Sequence, residues 1–368
     1  MSNSLGTLFR ITSFGESHGR CVGVVLDGCP AGLKLCKDDI QRELDRRRPG
    51  QSFITTIRSE ADQMEMLSGI FNGFTTGAPI CMLVWNRDYD PSGYVERLWT
   101  PRPGHADLPA QIKYGGFNDY RGGGRFSGRI TAGYVMAGAI AKELLKRALG
   151  VEVLAHTKEI GGIRASNLSI DEIKNNVDEN PVRCGDPEAA ERMVNAILEA
   201  SALGDSLGGA VECTALNLPP GVGEPVFDTL EGELSKALFA IPAVKAVEFG
   251  LGRQFSSIRG SESNDVYIIQ DGRLTAETNR CGGILGGISV GTPIVCRVAF
   301  KPTPSIKKMQ RTVDIQRMEE TLLEIKGSHD PCIVPRAVPV VESVVAIVLA
   351  DLSMRAGLIP PVLEEVTR

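Results

Sequence analysis

Residues 121–149 place the tightest constraint on what this chain can fold into. There "RGGGRFSGR" runs without a break into the alanine-rich "ITAGYVMAGAIAKELLKRAL", whose apolar spacing predicts a helix over 130–149. Three consecutive glycines lose much conformational freedom on folding, so their place beside Arg121, Arg125, Ser127 and Arg129 points to a working turn. Backbone N–H groups, one hydroxyl and three guanidinium groups would then gather near a helix N-terminus, an arrangement suited to an anion. The alternative is a glycine-rich surface turn with solvated arginines.

Other segments carry similar chemistry. "KDDIQRELDRRR" (37–48) predicts a helix that buries Ile40 and Leu44 and ends at Pro49-Gly50. Its terminal Arg46, Arg47 and Arg48 either complement the helix dipole or hold a phosphate or carboxylate. Of four histidines, three sit in stretches dense in Gly, Pro, Arg or Asp: His18 in "GESHG", His105 in "RPGHAD" and His329 in "GSHDPC". A proline-stiffened loop holds His105 in place for proton transfer, with a satisfied structural histidine as the alternative. His156, in "VLAHTK", has no such setting. Pro331 restricts Asp330 to extended geometry. In "FKPTPSI" (300–306), alternation puts Lys301, Thr303 and Ser305 on one side of an extended segment, facing a polar ligand or, alternatively, solvent.

With 42% hydrophobic and 23% charged residues, 368 residues can bury a full core, and no stretch reads as a linker. We expect a single domain over 1–368 with long functional loops. A net charge of −5 and 5% aromatics argue against nucleic acid as a partner. Nine cysteines without a C-x-x-C pair predict a reducing, cytoplasmic setting and no structural zinc. The apolar run 344–350 is too short to span a bilayer, so no membrane association is expected. Further helices are predicted at 187–200, 229–241, 313–325 and 338–356, and strands at 23–28, 80–85, 210–216, 243–249 and 293–300. No Gly-Lys P-loop or dinucleotide-binding glycine spacing is present. Ser17-x-Gly19, Ser206-x-Gly208 and Ser289-x-Gly291 each precede a proline thirteen positions after the serine, at Pro30, Pro219 and Pro302, and "TTGAPI" (75–80) echoes "SVGTPI" (289–294). Either a unit is duplicated, or Gly and Pro simply punctuate strands.

Seven segments in order, "FGESHG", "DRRRPG", "RPGHAD", "RGGGRFSGR", "GGILGGIS", "FKPTPSI" and "HDPC…PRAVP", resemble the chorismate synthase family over nearly the whole chain. The resemblance implies an α+β fold with a helical layer sandwiched between antiparallel β-sheets, and a homotetramer. It also implies a lyase that makes chorismate and phosphate from 5-enolpyruvylshikimate-3-phosphate by anti-1,4-elimination, with reduced FMN as cofactor and no net redox change. Some members reduce their own flavin with NADPH, and the resemblance leaves this open here. It implies His18 as the acid for the departing phosphate, His105 as the group that protonates or polarises the flavin, and Asp330 as the carboxylate that assists loss of the C6 hydrogen. Arg125, Phe126, Ser127, Ala243, Gly286, Lys301, Pro302, Thr303, Pro304, Ser305 and Ser328 fall at cofactor-binding positions, and Arg47, Arg48, Arg102 and Arg129 at substrate-binding ones. Ser328 stands where the family usually has arginine, Phe53 where many members have arginine, and Pro242 where asparagine is common. These departures bear on anion affinity.

Overall fold

The computed structural model describes residues 2–55, 61–87, 98–325 and 329–364. Two five-stranded antiparallel sheets enclose a layer of helices. The first sheet has the order β1-β2-β3-β7-β4, from Ser4–Leu5, Arg10–Gly15, Cys21–Asp27, Ile80–Trp85 and Met64–Met66. The second runs β9-β8-β10-β16-β11, from Ile163–Arg164, Glu152–Ile160, Gly209–Leu216, Ile294–Phe300 and Val244–Phe249. Between them lie α3 (Thr131–Leu149) and α7 (Val334–Arg355), joined by α1 (Lys37–Arg47) and α6 (Leu230–Leu238). Helix α3 packs on β2, β3 and β7, and α7 on β8 and β10. Each inner sheet face alternates with an outer one along the strand, so Val22, Val24 and Leu26 face the helices on one side, and Val211, Cys213 and Ala215 on the other.

The two long helices cross where α3 is nearly bare of side chain. A Cβ on Gly138 would lie 2.2 Å from the Cβ of Ser343, so only glycine lets the helices approach this closely. Helix α7 is apolar over a length that could cross a membrane, but 94% of its apolar window is buried inside the molecule. It begins at Val334, earlier than its apolar run indicates, because Pro335 is well tolerated in a first helical turn.

The duplicated unit is present, in a different register from the threefold spacing read in the sequence. Thr75 Oγ1 donates to Pro30 O (2.6 Å) and accepts from Leu33 N (2.9 Å), while its backbone pairs with Gly32 N and Leu33 O. Ser289 repeats this set: its Oγ donates to Pro219 O (2.6 Å) and accepts from Val222 N (2.9 Å), with its backbone paired to Gly221 N and Val222 O. The hairpins that carry them, β5–β6 (Ile70–Phe71 and Phe74–Thr75) and β14–β15 (Ile284–Leu285 and Ile288–Ser289), correspond, as do β2, β3, β7 and β4 of one sheet with β8, β10, β16 and β11 of the other; the edge strands do not, since β1 precedes its neighbour in the chain and β9 follows it. Ser289 therefore matches Thr75, as the "TTGAPI" echo implies, and the Ser289 to Pro302 spacing is coincidental. By the same correspondence, the loops that lead from β7 to α3 and from β16 to α7 are equivalent excursions, and both end at the N-terminus of a central helix.

One predicted helix is absent. Residues 313–325 lie instead in the hairpin β17–β18 (Gln310–Asp314 and Glu319–Leu323), turned through Met318 at φ 58°. The reason is tertiary: Thr312 Oγ1 donates to Pro101 O (2.6 Å) and Ile315 N to Trp99 O (2.9 Å), which ties the hairpin to the loop from the other half. The helix α2 (Asp107–Tyr114), too short to show a period, completes that loop.

Candidate active site

The two excursions meet over a cavity of about 740 Å³ at the N-terminal ends of α3 and α7, in the upper part of the ~300–1,000 Å³ range of small-molecule sites. His18, Arg47, Arg102, His105, Arg125, Phe126, Ser127, Arg129, Ala243, Lys301, Thr303, Pro304, Ser305 and Asp330 all contribute to its wall. Two helix N-termini and their partial positive charges face it together.

Three sequence candidates stand elsewhere and one is not described. Arg48 follows α1 with a half-exposed side chain near Asp45 (3.9 Å). Pro302 lies outside the wall, which Lys301, Thr303, Pro304 and Ser305 line. Gly286 sits at the β14–β15 turn with φ 62°, away from the cavity. Ser328 lies outside the described residues. At about 100° per residue, the three arginines that end α1 cannot share a face. Arg46 turns back to Glu342 (2.6 Å) and Glu43 (3.0 Å), Arg47 enters the cavity floor and Arg48 meets solvent.

The turn at 122–124 holds the two histidines. Gly122, Gly123 and Gly124 have φ of 58°, 86° and 51°, which only glycine adopts readily in succession. A Cβ on Gly122 would lie 2.1 Å from the Cε1 and Nδ1 atoms of His18, and one on Gly123 would lie 2.9 Å from Cε1 of His105. The imidazoles thus lie against bare backbone. His18 is 4% exposed, with Ser17 Oγ 3.1 Å from its Nδ1. Its loop is held from behind by Asn86 Nδ2, which donates to Glu16 O (3.0 Å) and Gly19 O (2.8 Å). His105 Nδ1 lies 2.6 Å from Asp107 Oδ1, and that carboxylate also accepts from Arg102 Nε (2.7 Å) and Nη2 (2.8 Å). Arg102 Nη1 donates to Ser305 Oγ (3.1 Å) across to the second excursion, and Lys301 Nζ bonds to Gly104 O.

The arginines divide by role. Arg121 is tied back by Asp119 (2.8 Å) and does not reach the cavity. Among the described residues, Arg125 donates only to neutral oxygens, Ser13 Oγ (3.2 Å), Gly15 O (3.0 Å), Ser13 O (3.2 Å) and Asn3 Oδ1 (3.1 Å), and meets no carboxylate there. Arg47 Nη1 and Arg129 Nη1 both bond to Asp62, whose side chain is fully buried. Burial would raise the Asp62 pKa, but the two guanidinium groups outweigh it and hold the carboxyl below its usual range. Burial, together with neighbouring Arg336 and Arg129, pulls Arg47 down to about 9 against the pull of Asp62, which still leaves it charged at neutral pH. Arg336 Nη1 pairs with Asp330, itself 8% exposed, and its Nε donates to Arg47 O (3.1 Å). Among the described residues, seven cationic side chains in the wall (Arg47, Arg102, Arg125, Arg129, Lys245, Lys301 and Arg336) face three carboxylates, Asp62, Asp107 and Asp330. The excess of four positive charges, in a chain with net charge −5, marks a site for a multiply charged anion. Thr303 Oγ1 is buried in this wall without a hydrogen-bond partner among the described residues. Such a group calls for a ligand.

Sequence reasoning missed Asp62, Asn86 and Arg336. Arg336 stands in "PRAVP", a segment already singled out, so a signal existed. Asp62 and Asn86 act from outside the cavity wall and carry no local motif.

Residues 9–354 match the family model described as chorismate synthase. The chain belongs to the chorismate synthase family. It is 59% identical over 365 residues to a chorismate synthase of Dehalococcoides mccartyi, covering 99% of this chain and 100% of that one. It is also 55% identical over 351 residues to one of Korarchaeum cryptofilum (95% and 97%) and 53% identical over 359 residues to one of Methanococcoides burtonii (98% and 98%). A crystal structure of chorismate synthase superposes with a TM-score of 0.74 at 31% identity, covering 95% of this chain and 93% of that one. Membership of the family makes the chain a lyase with a small-molecule substrate, and the α+β sandwich is the family's fold.

Proposed function

We propose that this member of the chorismate synthase family converts 5-enolpyruvylshikimate-3-phosphate to chorismate and phosphate by anti-1,4-elimination, with reduced FMN as cofactor. The observation that carries the reading is the cation excess gathered around two histidines and Asp330 in one cavity. A substrate with one phosphate and two carboxylates fits that excess. The residues present also fit a flavin phosphate and ring: Thr303 Oγ1 waits unpaired, and Gly104 offers bare backbone with Lys301 and Pro304 about a Cβ's contact distance away. Lys301, Thr303, Ser305, Arg125 and Ala243 would hold the cofactor. Bound reduced FMN would lend electron density as phosphate departs from C3 and recover it as the C6 hydrogen leaves.

The chain's own groups handle binding and protons. Arg47, Arg129 and Arg336 orient the substrate anions, with Asp62 fixing the first two. His18 protonates the departing phosphate, buried enough to exclude water from the transfer. His105 holds a proton beside the cofactor position, and Asp330 accepts the C6 hydrogen as a proton. We also assign a cytoplasmic homotetramer. The exposed Tyr267, Ile269 and Leu274 of hairpin β12–β13 (Tyr267–Gln270 and Arg273–Ala276) support burial against other copies, which light scattering checks. The decisive experiment is an anaerobic assay with chemically reduced FMN. Chorismate and phosphate should appear together with reduced FMN and not with oxidised FMN, and equal turnover without flavin overturns the reading.

A further inference from the structure

We propose that Asp107 is a positioning residue that locks His105 in the tautomer with hydrogen on Nδ1, leaving Nε2 as the nitrogen that exchanges protons with the contents of the cavity. The proposal rests on the function assigned above and adds to it which nitrogen works and what fixes it.

The geometry decides between two arrangements of the ring. Nδ1 of His105 has two neighbours, Asp107 Oδ1 at 2.6 Å and Arg102 Nη2 at 3.0 Å. If Nδ1 bore no hydrogen, it would accept from Arg102, but its lone pair would face a carboxylate oxygen at 2.6 Å. If Nδ1 bears a hydrogen, it donates to that oxygen in a short, charge-assisted bond, and Arg102 Nη2 is satisfied by the same Oδ1 at 2.8 Å. The second arrangement exchanges a lone pair facing a carboxylate at 2.6 Å for two donors 3.0 Å apart that converge on one anionic acceptor, which is the smaller cost. It is also not the default, since the neutral histidine ring in water favours hydrogen on Nε2, so the protein must impose it.

Asp107 is built to impose it. It is the first residue of α2, where the helix dipole favours a carboxylate. Arg102 grips both of its oxygens through Nε and Nη2, and the Arg102 backbone N–H adds a third bond at 3.2 Å. Burial opposes its ionisation, yet the bonds from Arg102 and His105 hold its carboxyl far below the usual range, so it stays an anion wherever the enzyme works. Arg102 in turn is braced by Ser305 Oγ. On the other side of the ring, Gly123 presents bare backbone towards Cε1 and Nε2, where a Cβ would come within 2.9 and 3.2 Å of them. The imidazole is therefore fixed on one edge and open on the other.

The test uses the full-length protein labelled with 15N-histidine. Four histidines give a countable set of ring signals, and His105→Gln identifies those of residue 105. In multiple-bond 15N–1H spectra recorded where the ring is neutral, His105 should show a protonated Nδ1 and a bare Nε2. Asp107→Asn should move the ring towards the Nε2–H tautomer. With substrate and reduced flavin, it should lower kcat roughly 10²–10⁴-fold, the range for a misdirected general acid or base, with KM changed by less than about threefold. A wild-type Nε2–H ring overturns the proposal even if the variant does not fold. So does an Asp107→Asn protein that keeps the Nδ1–H ring, or one whose KM rises while kcat is kept. Wild-type protein with the expected spectrum but no turnover would instead refute the assigned function and leave the role of Asp107 standing.

Discussion

Replacing Gly122 by alanine tests the site at its most crowded point. The residue has φ 58° and ψ 12°, a left-handed conformation that places an L side chain at a disadvantage of about 1–2 kcal/mol. That alone should lower the melting temperature by a few degrees. The larger effect is local, because the new Cβ would fall 2.1 Å from Cε1 and Nδ1 of His18. Ordinary contact begins near 3.4 Å, so ring and backbone must separate by 3.4 minus 2.1, about 1.3 Å. His18 is buried and bonded to Ser17 Oγ, so the displacement falls on the imidazole proposed as the acid. A misplacement of about 1 Å is enough for roughly 10² in rate. Gly260→Ala is the control: it lies outside the cavity wall, its added Cβ meets nothing within 4 Å, and its φ is not left-handed. Phosphate release with reduced FMN, measured beside thermal unfolding, should show Gly122→Ala folded but slowed about 10²-fold or more, and Gly260→Ala near wild type. If Gly122→Ala keeps kcat within about threefold, the His18 ring does not need its present position and its role as acid fails.

The remaining expectations are briefer. His18→Ala, His105→Ala and Asp330→Asn should each lower kcat by roughly 10²–10⁴ with smaller effects on FMN affinity, checked by fluorescence titration. Thr303→Val should weaken FMN binding by about one order of magnitude and leave the melting temperature of flavin-free protein unchanged or higher, because it removes an unpaired buried hydroxyl. Gly138→Ala should destabilise the fold by about 1–3 kcal/mol in urea unfolding, since α3 and α7 cannot separate without loosening both sheets. Burial would raise the Glu212 pKa, but its bonds to His156 and Arg297 and the charge of Lys158 bring it down to about 2. A carboxylate depressed on folding contributes stability that is present above its unfolded value near 4.5 and lost as pH falls towards 2. Glu212→Gln should therefore flatten the acid limb of stability between those values.

The elements that local pattern alone determines were legible. The spacing of Ile40 and Leu44 predicts α1, the alanine-rich run predicts α3, and β3, β7, β10, β11 and β16 are apolar runs bounded by turn residues. Where long-range contact decides, the sequence misled. Residues 313–325 carry enough apolar residues at helical intervals to mimic a helix, yet two hydrogen bonds to Trp99 and Pro101, more than 200 positions away, select a hairpin. The site was legible in kind because its residues sit in glycine- and proline-rich loops, whose composition has little use in a core. Its division of labour was not. Nothing in "DRRRPG" says that Arg46 serves a buried ion-pair cluster with Lys142 and Glu342 while Arg47 serves the cavity; that follows only once the helix phase is fixed. Asp62 is the plainest case. A carboxylate among cations reads in a sequence as a surface charge, and becomes a site residue only when folding removes its water and leaves two guanidinium groups as its partners. The duplication explains how groups from distant segments come together at the cavity. Each half contributes one long excursion and one central helix N-terminus: Arg47, His18, His105 and Arg129 come from the first half, Lys301, Thr303, Asp330 and Arg336 from the second, and the two sets meet at the N-terminal ends of α3 and α7.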